Sequence, residues 1–205
     1  SAKMLALIAL LGGASVGSTP SQCSSSFVLN DTTFDSHIVV TTQAMGARCV
    51  IAGDLDGDGD EDIISASSTD NMVAWFENLG KDGGWSEKRE ITYASNGARI
   101  VAVGDVDADG DLDVIAASYY DNTVRWFEND GTGNWEGSRI NGATSGHTIT
   151  TTAMNAQGVA AADMDGDGDL DIVVASSGDN TVAWFENIHR GRFCELKTIV
   201  DSAAI

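Results

Sequence analysis

The sequence has few basic residues, and this scarcity limits the partners that the chain can bind. Of its 205 residues, 11 are lysine or arginine and 31 are aspartate or glutamate, which gives a formal net charge of −20. Nucleic-acid backbones and anionic membrane surfaces are bound mainly through clustered lysine and arginine side chains. The composition therefore argues against both as partners.

Long apolar runs are also absent. The apolar run from Met4 to Leu11 is much shorter than the roughly 20 residues that cross a bilayer as a helix. No glycine-rich loop follows a strand and opens a helix, so a phosphate-binding loop is not indicated. Helical periodicity is lacking too, with Met4–Leu11 as the one candidate. We therefore expect an all-β protein without a membrane span.

Cysteine and histidine are too few and too scattered to suggest a zinc site or a catalytic centre. The chain has three of each: Cys23, Cys49, Cys194, His37, His147 and His189. No Cys-x-x-Cys pair occurs, so zinc has no support. Three cysteines allow one disulfide and a free thiol, or no disulfide, and the pairing stays open. The histidines lie far apart without a nucleophile motif nearby, and we predict that the chain is not an enzyme.

Residues 1–26 differ in composition from the rest of the chain. Lys3, the apolar run and the small residues up to Gly17 form a signal-peptide pattern. The alternative is a mature assembly segment that lies buried against a neighbouring subunit, and both interpretations remain open. The Ser/Thr-rich stretch Thr19–Ser26 reads as a linker. Asn30 begins an Asn-Asp-Thr sequon, which predicts N-glycosylation in a secreted protein.

Internal repetition is the strongest signal in the sequence. Two kinds of marker recur at the same offsets of 51 and 58 residues, namely the first aspartate of an acidic loop (Asp54, Asp105, Asp163) and a tryptophan (Trp75, Trp126, Trp184). Because two independent markers keep one register, chance is excluded. We predict one three-repeat domain over residues 27–205, with units at about 37–87, 88–140 and 141–205.

Each unit predicts four short strands. The apolar and aromatic runs place the first three strands of each unit at 49–52, 63–66 and 72–77, at 100–103, 114–117 and 123–128, and at 158–161, 172–175 and 181–186. Asp-Asn pairs supply the turns before the third strands. A fourth strand is indicated at 88–93 and 196–200, and less clearly in the middle unit. This pattern predicts four-stranded antiparallel blades of β-propeller type. Three blades are fewer than the four to eight of closed propellers, so the propeller would be incomplete or open.

Sixteen of the 31 acidic residues lie in three nine-residue loops. Ca²⁺ takes six to eight oxygen ligands, and carboxylates at positions 1, 3 and 5 turn inward when the backbone coils around the ion. A glycine at position 6 permits the turn, the carbonyl of position 7 points inward, and the carboxylate of position 9 closes the shell. We predict three Ca²⁺ ions, one per loop, held by Asp54, Asp56, Asp58, Asp60 and Asp62, by Asp105, Asp107, Asp109, Asp111 and Asp113, and by Asp163, Asp165, Asp167, Asp169 and Asp171.

Two other interpretations of the loops fit less well. An EF-hand would need a glutamate at position 12 and a helix behind it, whereas Ser65, Ala116 and Val174 stand there within predicted strands. A solvated acidic turn would leave five aspartates repelling one another within nine residues, and this arrangement occurs three times. Magnesium prefers tighter octahedral sites that retain water.

These loops, the apolar strand behind them and the Trp-Phe-Glu-Asn run resemble the FG-GAP and VCBS repeats of integrin-α-like propellers. The resemblance covers about Val39 to Ile205. It implies a calcium-stabilised extracellular scaffold used for adhesion, glycan binding or assembly. The sequence departs from the family where Asn187-Ile-His-Arg replaces a glycine-rich turn. The Phe-Gly and Gly-Ala-Pro signatures are also absent, since Pro20 is the only proline.

Three functions follow from this interpretation. The first is an extracellular or cell-surface structural and adhesive module that assembles with copies of itself, as a filament or surface-layer subunit, through the N-terminal segment and the open blade edges. The second is a glycan-binding module, with Trp85 and Trp135 in turns as candidates for stacking on sugar rings, while the repeated tryptophans pack in the core. The third is the non-catalytic propeller part of a larger secreted enzyme.

Overall fold

The computed structural model describes residues 38–135, 139–140, 143–144, 146–194 and 197–200. All of them belong to one compact unit, Ile38–Ile205. The predictions for residues 1–26, Cys23, Asn30 and His37 lie outside the described residues.

Short β-strands are the regular elements of the described chain, together with one four-residue helix. In chain order the elements are β1 (Ala47–Gly53), β2 (Asp62–Ser67), β3 (Met72–Phe76), α1 (Gly80–Gly83), β4 (Arg89–Thr92), β5 (Ala98–Gly104), β6 (Asp113–Ser118), β7 (Val124–Phe127), β8 (Arg139–Ile140), β9 (Ala143–Thr144), β10 (His147–Thr150), β11 (Ala156–Ala162), β12 (Asp171–Ser176), β13 (Thr181–Phe185), β14 (Asn187–His189), β15 (Arg192–Phe193) and β16 (Lys197–Val200).

Three four-stranded antiparallel sheets follow one another along the chain. Their strand orders are β1-β2-β3-β4, β5-β6-β7-β10 and β11-β12-β13-β16. The prediction of three four-stranded antiparallel blades is confirmed. The middle sheet finds its fourth strand only after the β8–β9 hairpin, which explains why the sequence left that strand unclear. The first two sheets also draw their last strand from residues assigned above to the beginning of the next unit.

The turn between the second and third strand of each sheet has the same backbone conformation. Asn71, Asn122 and Asn180 have φ angles of 59°, 59° and 57°. Asparagine tolerates this left-handed region better than other non-glycine residues, which is why the Asp-Asn pairs recur there. The turns fix the register in which β2 pairs with β3, β6 with β7 and β12 with β13.

Apolar side chains fill the space between successive sheets. One cluster joins the first and second sheets and contains Trp75, Ile64 and Val101, while another joins the second and third and contains Trp126 and Ile115. Since strand side chains alternate between two faces, the middle sheet contributes one face to each cluster. Trp75 is 0% exposed and Trp126 is 3% exposed, so both are core residues, as the sequence predicts.

Candidate metal sites

Each acidic loop joins the first two strands of a sheet. The loop of the first sheet runs from the end of β1 to the start of β2, and the others lie between β5 and β6 and between β11 and β12. The last aspartate of each loop, at position 9, is also the first residue of the following strand. These three aspartates, Asp62, Asp113 and Asp171, are 0% exposed.

The buried aspartates are held by backbone N–H groups on both carboxylate oxygens. Asp62 accepts from the N–H of Leu55, at 3.0 Å, and from that of Asn78, at 2.8 Å. Asp113 accepts from Val106 and Asn129, both at 2.9 Å. Asp171 repeats the pattern with Met164 and Asn187. Position 9 therefore has a structural role in fixing the loop to the strand that ends in Trp-Phe-Glu-Asn.

The first aspartate of each loop is also fixed by the backbone. The two carboxylate oxygens of Asp54 accept from the N–H groups of Gly57, at 2.9 Å, and Gly59, at 3.0 Å. Gly59 at position 6 has a φ of 93°, and its counterparts Gly110 and Gly168 have 104° and 98°. These values require glycine, as the sequence predicts for the sharp turn.

The structure brings three carboxylates together in every loop. Ligand oxygens lie within 4.8 Å of one another in the groups Asp54–Asp56–Asp58, Asp105–Asp107–Asp113 and Asp163–Asp165–Asp171. Positions 1 and 3 take part in all three groups, joined by position 5 in the first loop and by position 9 in the other two. An all-oxygen, carboxylate-rich set is the chemistry that Ca²⁺ requires.

The other predicted ligands lie outside these groups, namely Asp60, Asp62, Asp109, Asp111, Asp167 and Asp169. At position 5, Asp58, Asp109 and Asp167 each accept the N–H of position 7 at 2.9 Å. At position 7, the Asp111 carboxylate lies where a Cβ of Gly131 would be. The position 7 side chain therefore faces the following turn in the second sheet, which is compatible with the prediction that this position offers its carbonyl.

Burial makes the charges of this site costly. It raises the pKa of Asp113 to about 7, and the nearby carboxylates of Asp107 and Asp109 add to that effect while the two backbone hydrogen bonds oppose it. Burial likewise raises the pKa of Asp62 and of Asp107, and for Asp107 the charges of Asp109, Glu128 and Asp105 contribute in the same direction. A bound cation would compensate these charges.

Two asparagine residues, which the sequence did not single out, connect the first two loops to the sheet that follows. The side-chain amide of Asn129, in the second sheet, donates to the carbonyl of Leu55 in the first loop at 2.7 Å. Asn187, in the third sheet, donates to the carbonyl of Val106 in the second loop at 2.8 Å. We call this hydrogen bond the loop tie. The signal in the sequence is the asparagine of each Trp-Phe-Glu-Asn run, which repeats at the same offsets of 51 and 58.

A comparison with family models gives three matches to the FG-GAP-like repeat, at residues 54–116, 105–174 and 163–204. The chain belongs to the FG-GAP-like repeat family. Each match begins at the first aspartate of an acidic loop, so the motif of this family includes the loop and the strands that follow it. The resemblance inferred from the sequence is thereby confirmed.

A solved structure shares the fold of this FG-GAP-like chain. It is a lectin of Agrocybe aegerita, described as specifically recognising non-reducing terminal N-acetylglucosamine, with 19% identity and a TM-score of 0.50. The match covers 75% of this chain and 38% of the lectin, so the chain spans well under half of the lectin's length. No curated protein matches the sequence.

The tryptophan, histidine and cysteine residues considered in the sequence lie outside the acidic loops. Trp135 is 7% exposed and packs edge-on against Trp75 at 6.4 Å between ring centroids, so its prediction as a sugar-stacking residue is wrong. His147 stacks on Trp126 at 4.6 Å. Cys49 and Cys194 are free thiols. Within the described ranges, the structure contains no helix with the length and apolar character of a membrane span.

Proposed function

We propose that the chain is an extracellular calcium-binding repeat module with a structural, non-catalytic role, which holds one Ca²⁺ in each acidic loop. The convergence of three carboxylates in every loop carries this proposal. Backbone N–H groups already orient positions 1 and 9, so the ion would find a preformed set of oxygens. Extracellular modules can bind Ca²⁺ as weakly as a dissociation constant of roughly 10⁻⁴–10⁻³ M, which suits the calcium-rich exterior of the cell.

Titration calorimetry on the full chain tests this proposal. We expect three Ca²⁺ per chain, and two in each of the variants Asp54→Asn, Asp105→Asn and Asp163→Asn. Glu61→Gln is the matched control, because Glu61 lies in the first loop and is exposed but belongs to no carboxylate group. No heat above dilution at millimolar Ca²⁺, or a stoichiometry of three in the loop variants, would contradict the proposal.

The same module would associate with copies of itself and act in adhesion. Open repeat arrays expose apolar sheet faces, and such faces promote association. Sedimentation of the full chain across a concentration series in calcium buffer measures this directly. A single monomeric species at all concentrations would remove self-association from the proposal and leave calcium binding intact.

Glycan binding is the second candidate, favoured by the lectin that shares the fold. A cleft of about 460 Å³ beside the first sheet is lined by Val39, Val40, Trp85 and Lys88 among others. It offers an aromatic ring next to polar groups, which is a common arrangement for sugar stacking. A glycan array in calcium buffer should show binding that Trp85→Ala removes, and an array without signal would dispose of this candidate.

A further inference from the structure

We propose that the end of the sheets opposite to the acidic loops binds a saccharide that carries a single carboxylate. The site, which we call the arginine patch, consists of Arg48, Arg99, Tyr119, Tyr120 and Gln157. This inference rests on the glycan-binding candidate, and it adds a ligand class and a second surface apart from the cleft beside Trp85.

The first strand of every sheet contains a bulge at the same position. Its pairing with the second strand shifts register within Ala47–Cys49, Ala98–Ile100 and Ala156–Gly158. The residues inside these shifts, at the repeat offsets of 51 and 58, are Arg48, Arg99 and Gln157. A bulge turns a side chain out of the regular alternation of a strand, and bulges are frequent beside functional sites. The fold therefore redirects these three side chains in the same way.

The three bulges lie side by side. The first strands of successive sheets contact each other, β1 with β5 and β5 with β11. Arg99 Nε donates to Gln157 Oε1 at 2.7 Å, which joins the second bulge to the third. The Cys49 thiol donates to the Val101 carbonyl at 3.9 Å, so β1 meets β5 close to the same register. The repeat therefore places Arg48 next to Arg99.

The two arginines of the patch have no acidic partner among the described residues. Carboxylates do pair with three other basic side chains, namely Lys88, Arg89 and Arg125. Arg48 Nε donates to the Ser68 hydroxyl at 3.0 Å, and Arg99 Nε is used by Gln157. A guanidinium has five N–H donors in a planar fork that matches a carboxylate. The terminal amino groups of both arginines can therefore bind an oxyanion.

Two tyrosines of the middle sheet extend the patch. The guanidinium carbon of Arg99 lies 5.0 Å from the centroid of the Tyr119 ring, and the rings of Tyr119 and Tyr120 meet edge-on at 5.1 Å. Tyr120 is 64% exposed. An exposed aromatic ring offers an apolar surface to the C–H groups of a pyranose. A sugar that packs on Tyr120 could extend its carboxylate towards Arg99.

The distribution of charge favours a ligand with one carboxylate over a polyanion. Arg48 lies near the start of β1 and Asp54 follows its end, so a strand that rises about 3.3 Å per residue separates them by roughly 20 Å. This distance exceeds the Debye length of about 8 Å at physiological ionic strength, so the loops repel a small ligand weakly. A polyanion would extend beyond the patch over a molecule with a net charge of −20.

An NMR titration of the isotope-labelled full chain with methyl glucuronide tests the site, with methyl glucoside as the neutral match. We expect the glucuronide to bind at least about tenfold more tightly than the glucoside. Arg48→Gln and Arg99→Gln should each weaken glucuronide binding at least about fivefold. Both variants should fold, because the third sheet has glutamine at this position. Arg192→Gln is the matched control, since Arg192 is exposed and lies in β15, outside the patch.

Acetate separates the contribution of the ring from that of the charge. Tyr120→Ala should weaken glucuronide binding and leave acetate binding unchanged. Equal affinity for the two sugars, or glucuronide binding that both arginine variants retain in full, would overturn the inference. A glutamate-containing tripeptide that binds as tightly as the glucuronide would overturn the assignment to a saccharide.

The glycan array distinguishes this inference from the candidate function on which it rests. Array signal that Trp85→Ala removes, together with no binding of glucuronide, overturns the arginine patch alone. A silent array together with no binding of glucuronide overturns the glycan-binding candidate as well. The arginine variants should still bind three Ca²⁺, because the patch shares no residue with the acidic loops.

Discussion

At the scale of the residue, the acidic loops combine two kinds of aspartate. Asp113 is buried and both of its carboxylate oxygens accept backbone N–H groups, so its hydrogen bonds fix the loop to the neighbouring strand even though burial disfavours its charge and raises its pKa. Asp107 accepts a hydrogen bond from Asp109 N–H and otherwise faces other carboxylates, so its charge is needed only when a cation is present. The two roles were indistinguishable in the sequence, where all positions read alike as aspartate.

This distinction predicts that Asp107→Asn changes the free energy of unfolding in opposite directions without and with calcium. Without calcium, the substitution removes a charge that neighbouring carboxylates repel and should raise the free energy of unfolding, by a few tenths of a kcal/mol up to about 1 kcal/mol. With saturating calcium it removes a ligand and should lower that free energy. Urea unfolding in chelator and in calcium measures both. Destabilisation of equal size in the two buffers would mean that Asp107 holds no cation.

Asp130 gives a prediction for pH dependence. The Thr132 hydroxyl is the main cause that lowers the pKa of Asp130, and the N–H of Thr132 and Asn134 help. Since the folded-state pKa lies below the unfolded one, the carboxylate stabilises the turn above the unfolded value of about 3.9. This contribution is lost as the pH falls through the lowered pKa. The stability difference between the unaltered chain and Asp130→Ala should be constant above about pH 5 and vanish in acid. A difference that persists at pH 2 would contradict this account.

At the scale of the element, one glycine in the turn after the Trp-Phe-Glu-Asn strand of the second and third sheets packs against the preceding sheet. A Cβ on Gly133 would lie 2.0 Å from the Trp75 ring, and one on Gly191 would lie 2.3 Å from the Trp126 ring. The turn in the third sheet contains Ile188 and His189 in place of the expected glycine-rich stretch, yet it keeps the one glycine that contacts tryptophan. The sequence shows that this turn departs from the other two, but it does not show that Gly191 contacts a tryptophan of the preceding sheet.

Alanine at Gly133 should therefore be far more destabilising than alanine at Gly57. The two residues have φ angles of 72° and 73°, and Ala108, the counterpart of Gly57 in the second loop, is already an alanine with a φ of 59°. A Cβ on Gly57 meets only the carbonyl oxygen of Gly131, at 3.9 Å, whereas a Cβ on Gly133 overlaps the Trp75 ring. We expect Gly133→Ala to cost about 1–3 kcal/mol more, in line with overpacked cores. If denaturant titrations show that both variants lose the same free energy of unfolding, the turn accommodates the Cβ without displacing Trp75.

The strands could be predicted from the sequence because each carries a short apolar or aromatic run between turn residues. Their boundaries extend further than predicted: β1 begins at Ala47, where the alternation fades into exposed positions. The loop tie of Asn129 could not be predicted from the sequence, because its partner Leu55 lies 74 residues away along the chain and belongs to another repeat. The burial of Trp135 was missed for a similar reason, since Trp75, which covers it, lies in the preceding sheet.

At the scale of the whole molecule, the main contacts between the described sheets join each sheet to the next one along the chain, as in other repeat proteins. Positions 1 to 3 of the first two loops are buried or half-buried, whereas the same positions of the third loop, Asp163, Met164 and Asp165, are exposed. The third sheet lacks support on one side and should be the least stable part of the described chain.

Removal of calcium should show that the third sheet is less stable than the first two. Each site that is lost at 100-fold excess over its dissociation constant costs about 2.7 kcal/mol, so chelation should lower the melting temperature and increase protease sensitivity. Amide exchange should accelerate first in β11, β12 and β13 and later in the first two sheets. An unchanged melt in excess chelator would contradict the calcium sites, and uniform acceleration would contradict the order of opening.

The loop tie has one more consequence, for how such chains lengthen. Every repeat encodes an asparagine that reaches backward and a carbonyl that receives the next asparagine, so it is compatible on both sides with a copy of itself. Tandem duplication of the DNA that encodes one repeat would thus insert a sheet that keeps the loop tie to both neighbours. This hydrogen bond would therefore need no compensating substitution when the number of repeats changes.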